Sequence, residues 1–318
     1  MQLGLFEGGT SAAGGAVGLE SPGVAAHVAS AAGRAEAAPA EPAGRKTRSE
    51  GPVARTPVRL AVLASSSSGN CSVLLSGEGR NVRAVLIDAG LSPLRTRKLL
   101  SSLGVGIERV DAILFTHLDA DHAKPGWIRG LPRHACFRIH RRHLGRARRA
   151  GFLTRRTEVF DGAPFGLAPG VRAAACLADH DSLGVAAFRI DVRTPGADEP
   201  ASLGYATDLG RPTGAIVDHL RGVDVLAIES NYCPELQEAS DRPAFLKSRI
   251  MDGSGHLSNA ECVRAVRAIG PRRDVVLLHL SRECNTPERA RAPHAGAAYG
   301  LTVAPAEGPT RWVGVAGV

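Results

Sequence analysis

The sequence predicts an α/β fold in which sheets and helices lie in layers, and two observations support this prediction. Short apolar runs recur from residue 58 onward with turn residues between them, which is typical of strands. Helical patterns separate several of these runs, as in layered α/β proteins. The predicted strands are, in chain order, Val58–Ala64, Cys71–Leu75, Ala84–Ile87, Ala112–Phe115, Ala135–Ile139, Val171–Cys176, Val185–Val192, Leu203–Ala206, Val223–Ile228, Val275–Leu278 and Leu301–Ala304.

The helical patterns between these strands have apolar residues at helical spacing. The third of them also has a start signal, because Ser258 or Asn259 can cap the first turn and Glu261 lies within that turn. The predicted helices are Leu94–Leu103, His143–Gly151 and Ala260–Ile269.

The first 57 residues have a different composition from the rest of the chain. Ala, Gly, Ser and Pro dominate them, and no apolar run at period 2 or 3.6 is long enough to bury a face. We therefore expect a disordered leader over residues 1–57 and one domain over residues 58–318. A mitochondrial-type targeting peptide is a second interpretation, which the glutamates of the segment oppose, and a start codon assigned too early would look the same.

The composition excludes several classes of protein. With 318 residues, 44% hydrophobic and 22% charged, the chain has the make-up of an ordinary globular protein. No apolar stretch reaches the roughly 20 residues that a membrane-spanning helix needs. The six cysteines are scattered and form no CxxC pair. We therefore expect a cytoplasmic protein without disulfides and without a membrane partner.

The chain has a net charge of +8, and its most basic segment, residues 129–156, holds ten arginines and no acidic residue. Its positive field would suit a polyanion such as DNA or RNA. However, the whole chain has only four lysines, so a general preference for arginine explains much of the segment. A solvated helix face is therefore slightly favoured over a nucleic-acid track.

The strongest chemical signal is a strand that runs into four candidate ligands: His117, Asp119, Asp121 and His122. Nothing structural requires this pattern, and a tight turn after a strand can point alternate side chains at one centre. Imidazole nitrogens and carboxylate oxygens are donors that zinc, manganese and iron accept. A single histidine at a strand end is usually structural, but four such groups in six residues favour a metal site.

Three further polar residues, His180, Asp208 and His279, end apolar runs in the same manner. For each one alone, a capping or solvated position explains the residue as well as metal ligation does. Together they follow strands of an α/β protein at the ends where such sheets collect their sites.

In order and spacing these seven residues resemble the signature of the metallo-β-lactamase-fold hydrolases, HxHxDH followed by a distant His, Asp and His. The resemblance covers about residues 58–318. More narrowly, the chain is similar to the YycJ-like (WalJ-like) subgroup of this family. The subgroup resemblance depends on five further motifs: Ser66–Asn70, Ile87–Gly90, Glu229–Asn231, Gly255–Asn259 and His279–Ser281.

The resemblance implies a four-layer αββα sandwich with two divalent metal ions at one edge, zinc being expected first and manganese second. One position departs from the family, because Asp119 stands where His is usual. This change makes the centre less positive, which raises the pKa of a bridging water and favours harder ions such as manganese. By position, the first metal would be held by His117, Asp119 and His180, the second by Asp121, His122 and His279, and Asp208 would bridge them.

The resemblance also implies a mechanism, in which a metal-bridging hydroxide attacks phosphorus in line. We expect His256 to act as general acid or phosphate contact, with Ser258 and the helix amino end binding the anion. Asp121, itself an expected ligand, is the second residue expected to take part in catalysis. The alternative for His256 is a simple turn residue.

Two more positions have open interpretations. The turn Ser65–Asn70 could present Ser68, Asn70 and backbone N–H groups to a phosphate, or it could be an ordinary hairpin. The carboxylate of Asp88 resembles a family residue that supports the metal loop from behind, or it could be a turn former.

The predicted function is therefore that of a metal-dependent hydrolase of phosphodiester bonds, an exonuclease or other nuclease acting on DNA or RNA, and the basic balance favours such a substrate. One alternative is hydrolysis of a small metabolite, either a cyclic phosphodiester or a thioester. Another is a non-catalytic, regulatory member of the fold that binds a partner without turnover.

Overall fold

In the computed structural model the described residues are 57–194, 196, 198–253 and 255–317. The leader predicted over residues 1–57 lies outside them apart from Pro57, so it stays a prediction. The described part forms fourteen strands in two sheets: β1 (Val58–Ala64), β2 (Cys71–Ser76), β3 (Arg83–Ile87), β4 (Val110–Leu114), β5 (Cys136–His140), β6 (Thr157–Phe160), β7 (Phe165–Ala168), β8 (Val171–Ala178), β9 (Val185–Val192), β10 (Ala201–Ala206), β11 (Val225–Glu229), β12 (Asp274–Leu278), β13 (Gly300–Val303) and β14 (Val313–Ala316).

Both sheets are mixed and have seven strands each. The first has the order β14-β1-β2-β3-β4-β5-β6, and the second has the order β13-β12-β11-β10-β9-β8-β7. In the first sheet β3, β4, β5 and β6 are parallel, and in the second sheet β10, β11, β12 and β13 are parallel. The remaining pairs are antiparallel. Each sheet therefore has one edge at which the carboxyl ends of several parallel strands collect.

Helices cover the outer faces of the sheets. Strands such as β11 and β12 are buried along almost their whole length, which explains why their sequences are continuous apolar runs and not alternating ones. The helices are α1 (Pro93–Ser102), α2 (Trp127–Gly130), α3 (Leu144–Ala150), α4 (Gly214–Leu220), α5 (Pro234–Ala239), α6 (Ala244–Met251), α7 (Asn259–Ile269) and α8 (Pro287–Arg291).

Three apolar cores separate four layers. The central core joins the inner faces of the two sheets, for example Leu114 of β4 and Phe188 of β9. A second core packs the first sheet against α1 and α3, and a third packs the second sheet against α4 and α7, where Val266 is fully buried. This arrangement confirms the predicted αββα sandwich.

Helix α7 begins at Asn259, one residue before the predicted start, and Ser258 is its cap. The Ser258 hydroxyl accepts a hydrogen bond from the Glu261 backbone N–H at 3.2 Å, and the Glu261 carboxylate accepts one from the Ser258 N–H at 3.0 Å. These two bonds form a capping box, which satisfies backbone donors that the helix leaves free. The helix ends at Gly270, whose φ of 68° places it in the left-handed region that glycine tolerates.

The basic segment 129–156 does not form one helix face. Its arginines are distributed over α2, β5, a short 3₁₀ turn at Arg141–His143 and α3, which begins at Leu144 and is shorter than the predicted helix. None of the helices that the described residues form combines the length and the apolar character needed to cross a bilayer.

Candidate metal centre

Polar side chains lie where several strands of both sheets end. Asp88 directly follows β3, and His117 follows β4 after two residues. In the second sheet His180 follows β8, Asp208 follows β10 and His279 directly follows β12. The two sheets present these ends to one cleft, so residues that are far apart in sequence meet there.

His117, Asp119 and His180 form the first of two clusters. One donor atom from each lies within 4.8 Å of the donor atoms of the other two. The His117 Nε2 is 3.8 Å from an Asp119 carboxylate oxygen, and the His180 Nδ1 is 3.1 Å from the Gly255 carbonyl oxygen. The structure thus brings together the three residues that the resemblance assigns to a first metal.

Asp121, His122 and His279 form the second cluster, with the same 4.8 Å limit between donor atoms. The Asp121 Oδ2 is 3.3 Å from the His279 Nε2 and 3.6 Å from the His122 Nε2. Both imidazoles are buried, whereas the Asp121 side chain is 26% exposed and faces the cleft.

Asp208 lies between the two clusters. Its Oδ2 is 2.8 Å from the His122 Nε2, and its Oδ1 is 3.4 Å from the His279 Nδ1. It also belongs to a group with His117 and His122 whose donors lie within 4.8 Å of one another. Asp208 is therefore placed to serve both sites, as a bridging carboxylate would.

Three residues of the centre have a left-handed backbone. Asp88, Asp208 and His279 have φ values of 61°, 52° and 54°, and no other non-glycine residue of the described chain has a positive φ. Each lies just after the carboxyl end of an interior strand, β3, β10 or β12, where the turn redirects the side chain. Such conformations cost free energy and cluster at functional sites, so they support this edge as the active region.

Asp88 supports the ligand loop from behind. Its carboxylate accepts hydrogen bonds from the Thr116 N–H at 2.8 Å and from the Thr116 hydroxyl at 2.9 Å, and it lies 2.8 Å from the His122 Nδ1. It is completely buried, and this burial raises the pKa of its carboxyl despite the bonds from His122 and Thr116. The contact leaves the His122 Nε2 directed at Asp208, as carboxylate–histidine pairs do at metal sites.

The electrostatics of the centre fit divalent cations. Burial alone would lower the pKa of His279, but Asp208, Asp121 and Glu229 outweigh it and raise the pKa to about 10. Burial alone would raise the pKa of Asp208, but His279 and His122 hold it well below its usual range. Several carboxylates thus require nearby positive charge, which protons on the imidazoles or metal ions can supply. The residues present fit two divalent metal ions, and their donors do not distinguish zinc from manganese.

Glu229 was not predicted as a site residue, although its motif contributed to the resemblance. It ends β11, is completely buried, and its Oε1 lies 2.6 Å from the His256 Nδ1 and 3.1 Å from the His279 Nδ1. Its Oε2 accepts hydrogen bonds from two backbone N–H groups, those of Leu209 at 2.8 Å and Leu257 at 3.3 Å. Glu229 therefore joins His256 to the centre. The signal that could have identified Glu229 from the sequence is its position at the end of a predicted strand.

Arg146 is a second residue that the sequence did not single out. This residue of α3 forms an ion pair with Asp119, and its other terminal nitrogen is 3.4 Å from the Asp181 carboxylate. Because Asp181 adjoins His180, the guanidinium joins the loops that supply two members of the first cluster. Only its place in the arginine-rich segment could have drawn attention to it.

The three predicted substrate contacts differ in their position relative to the candidate ligands and the cleft. Asn70 is buried, and its amide is 3.3 Å from the Asp121 Oδ2 and 3.0 Å from the His122 Nε2, so it contacts the ligands themselves. Ser68 is exposed, but its neighbour Ser67 lines the cleft. The Ser258 hydroxyl bonds to Glu261 in the capping box and does not line the cleft. Substrate binding by Ser258, Ser68 and Asn70 stays a prediction.

An open cleft of about 1020 Å³ leads to both clusters. Its floor includes Asp121, His180 and Asp208, and His256 lines it beside them. One wall is built by α6 and the turn before it, from which Arg242 and other polar residues face the cleft. The cleft is large enough for several linked groups of a substrate and does not enclose them.

The fold and the ligand clusters at the ends of its strands indicate one class of protein. A comparison with family models gives the same class. The model of the β-lactamase superfamily domain matches residues 83–280, which include all seven candidate ligands. The chain therefore belongs to the β-lactamase superfamily, and the predicted family is confirmed.

Particular relatives place the chain within this superfamily. It is 27% identical over 249 residues to the exodeoxyribonuclease WalJ of Streptococcus pneumoniae, covering 73% of this chain and 85% of that protein. It is 26% identical over 260 residues to the exodeoxyribonuclease YycJ of Bacillus anthracis, covering 74% and 86%. Among solved structures, the metallo-β-lactamase-fold protein YhfI of Bacillus subtilis matches with a TM-score of 0.56 and 16% identity, covering 80% of this chain and all of that one.

Proposed function

We propose that the protein is a metal-dependent phosphodiesterase that degrades DNA as an exonuclease. The observation that supports this most strongly is the pair of ligand clusters joined by Asp208 at the floor of an open cleft. Two relatives that align over most of their length are exodeoxyribonucleases, which supports the substrate class.

In this proposal His117, Asp119 and His180 hold one ion, Asp121, His122 and His279 hold the other, and Asp208 contacts both. Two divalent ions there would polarise the phosphoryl oxygens and lower the pKa of an attacking water. The protein holds these ligands in place before substrate arrives, since Asp88, Asn70 and Glu229 fix their orientation.

His256 is the proposed proton donor to the leaving oxygen. Its Nδ1 is 2.6 Å from the Glu229 carboxylate, which leaves Nε2 as the nitrogen free for a substrate in the cleft. An imidazole nitrogen that faces the leaving oxygen can serve as a general acid for a developing alkoxide. Glu229 thus acts by positioning His256.

The shape and charge of the cleft favour a polymer over a small metabolite. The cleft is open to solvent, and Arg242 and Arg249 are among the residues that line it. Open clefts with arginines suit phosphate chains, whereas small metabolites are usually bound in enclosed pockets.

The test is a cleavage assay on the purified chain, stripped of metal and then resupplied with zinc or manganese. The substrates are bis(p-nitrophenyl) phosphate and end-labelled single-stranded and duplex DNA. We expect metal-restored cleavage of the model ester and progressive shortening of DNA from one end. His256→Gln should slow DNA cleavage while leaving the two metals bound. Two bound metals without any phosphodiester cleavage would contradict the proposal and favour the small-metabolite or regulatory alternative.

A further inference from the structure

Phe245 is unusual among the aromatic residues of this protein. Aromatic residues make up 4% of the chain, and Phe115, Phe137 and Trp127 are examples that are almost completely buried. Phe245 is 75% exposed, the largest value for a large apolar side chain within the described ranges. A phenyl ring left in water forgoes the free energy that burial would provide, so it is available to a binding partner.

The position of Phe245 connects it with the active cleft. It lies in the first turn of α6, whose other side packs through Leu246 and Ile250 against Tyr232. Side chains four residues apart on a helix are neighbours on one face, so Phe245 lies beside Arg249. Arg249 lines the cleft and Phe245 does not, so the phenyl ring lies just outside the cleft, next to a residue of its lining.

Arg249 also differs from the other arginine on this wall. Arg242 donates to the Glu283 carboxylate at 3.0 Å and to Gln237 and Ser281, so its charge is largely balanced. Within the part of the chain that the structure describes, the exposed Arg249 guanidinium has neither a hydrogen bond nor an ion pair. An aromatic ring and an unpaired cation therefore lie together at the rim of a cleft that contains the metal clusters.

We propose that Phe245 and Arg249 form a subsite for single-stranded DNA, in which the ring stacks on a base and the guanidinium contacts the adjacent phosphate. Stacking on an aromatic ring is tolerant of sequence, and arginine follows the backbone, so the pair would hold any strand whose end lies in the cleft. This inference rests on the proposed nuclease function and adds to it a contact for one unpaired strand near the cleft.

The first experiment compares substrates of different size. In the full metal-loaded protein, Phe245→Ala should raise the KM for single-stranded DNA about tenfold, as expected for the loss of one stacked base. The kcat/KM for bis(p-nitrophenyl) phosphate should not change, because that ester has no adjoining nucleotide to occupy the subsite. Phe245→Trp should restore the KM, whereas Phe245→Leu should not, since leucine is apolar but has no π face. Leu94→Ala is the matched control, since Leu94 is 61% exposed on α1 and does not line the cleft.

The second experiment separates this inference from the proposed function. Binding of a fluorescent oligothymidylate to the metal-stripped full chain is measured by anisotropy, without any requirement for turnover. Phe245→Ala and Arg249→Ala should each weaken binding, and only Arg249→Ala should reduce the salt dependence. If the wild type binds the oligonucleotide in this way but never cleaves DNA, the subsite stands and the nuclease function fails. If Phe245→Ala leaves both the KM and the binding unchanged, or the wild type does not bind, the subsite is overturned.

Discussion

The two halves of the metal centre are held in different ways. His122 and His279 of the second cluster are almost completely buried, and Asp88, Asn70, Glu229 and other neighbours fix their rings. In the first cluster the Asp119 side chain is 36% exposed and is held by Arg146 from a surface helix. Both histidines of the second half are therefore held by buried contacts, whereas the first half, in which His117 is also buried, holds Asp119 through a contact near solvent. We infer that the second site binds its ion more tightly, since its ligands lose less freedom on binding.

The largest effect is expected where the two halves meet. Asp208→Ala removes the carboxylate that lies against both clusters, so neither ion keeps its full set of ligands. Turnover should fall by more than about 100-fold. This loss is larger than the roughly 10- to 100-fold loss that is typical when a residue supporting a metal ligand is changed. Steady-state kinetics together with metal analysis of the variant checks this. Activity near that of the wild type would show that the two clusters do not work as one centre.

The support behind the second half is tested by Asp88→Asn. Asparagine tolerates the left-handed backbone at this position but cannot accept the same bonds from His122 and Thr116. We expect affinity for the more tightly bound metal to fall about 10- to 100-fold. Competition titration with a chelating dye measures it. Asp111→Asn, at a partly exposed aspartate on β4, serves as control. If Asp88→Asn and the wild type bound this metal with equal affinity, the buried carboxylate would not be the reason that the second half binds more tightly.

The surface support of the first half is tested by Arg146→Ala. This change removes the guanidinium that links Asp119 with Asp181, and a partly exposed ion pair is worth at most about 1 kcal/mol. The affinity for the more weakly bound metal should therefore fall about fivefold, and the tighter site should not change. Calorimetric titration resolves the two steps. Arg149→Ala, at an exposed arginine of the same helix, should alter neither step. If Arg146→Ala instead lowered the metal affinity of the tighter site, the tighter site would have to be assigned to the first cluster.

The smallest effect on catalysis is expected at Ser258, which belongs to neither half. Its hydroxyl is engaged by Glu261 in the capping box of α7. Ser258→Ala should lower the free energy of unfolding by about 1 kcal/mol, as measured by urea denaturation, and leave the KM for DNA nearly unchanged. A KM several times higher with unaltered stability would instead support the predicted contact with substrate.

Much of the fold follows from local patterns in the sequence. The apolar runs that became β1 and β9 have the predicted bounds, and the Ser258 cap marks the start of α7. The edge strands β6 and β7 were not predicted, because half of their residues or more lie partly in solvent and their apolar signal is weak. Their pairing is set by neighbouring strands and not by their own composition.

The candidate ligands could be predicted because each interrupts or ends an apolar run. Their supports could not be predicted in the same way. Arg146 lies 27 residues from Asp119 in sequence, and Glu229 lies 50 residues from His279, so only the folded chain brings these partners together. Asp88 was an exception, since it directly ends a strand and could be recognised by its resemblance to a family residue.

The left-handed turns at Asp88, Asp208 and His279 have a consequence for laboratory evolution. Glycine adopts such a backbone freely, so replacement by glycine would relieve the backbone strain, but it would also remove side-chain contacts such as the bonds from Thr116 to Asp88. A selection for heat resistance alone would act on the balance of these two effects and would not protect the centre itself. Thermostable descendants of this protein would keep their activity only if each round of selection also demanded it.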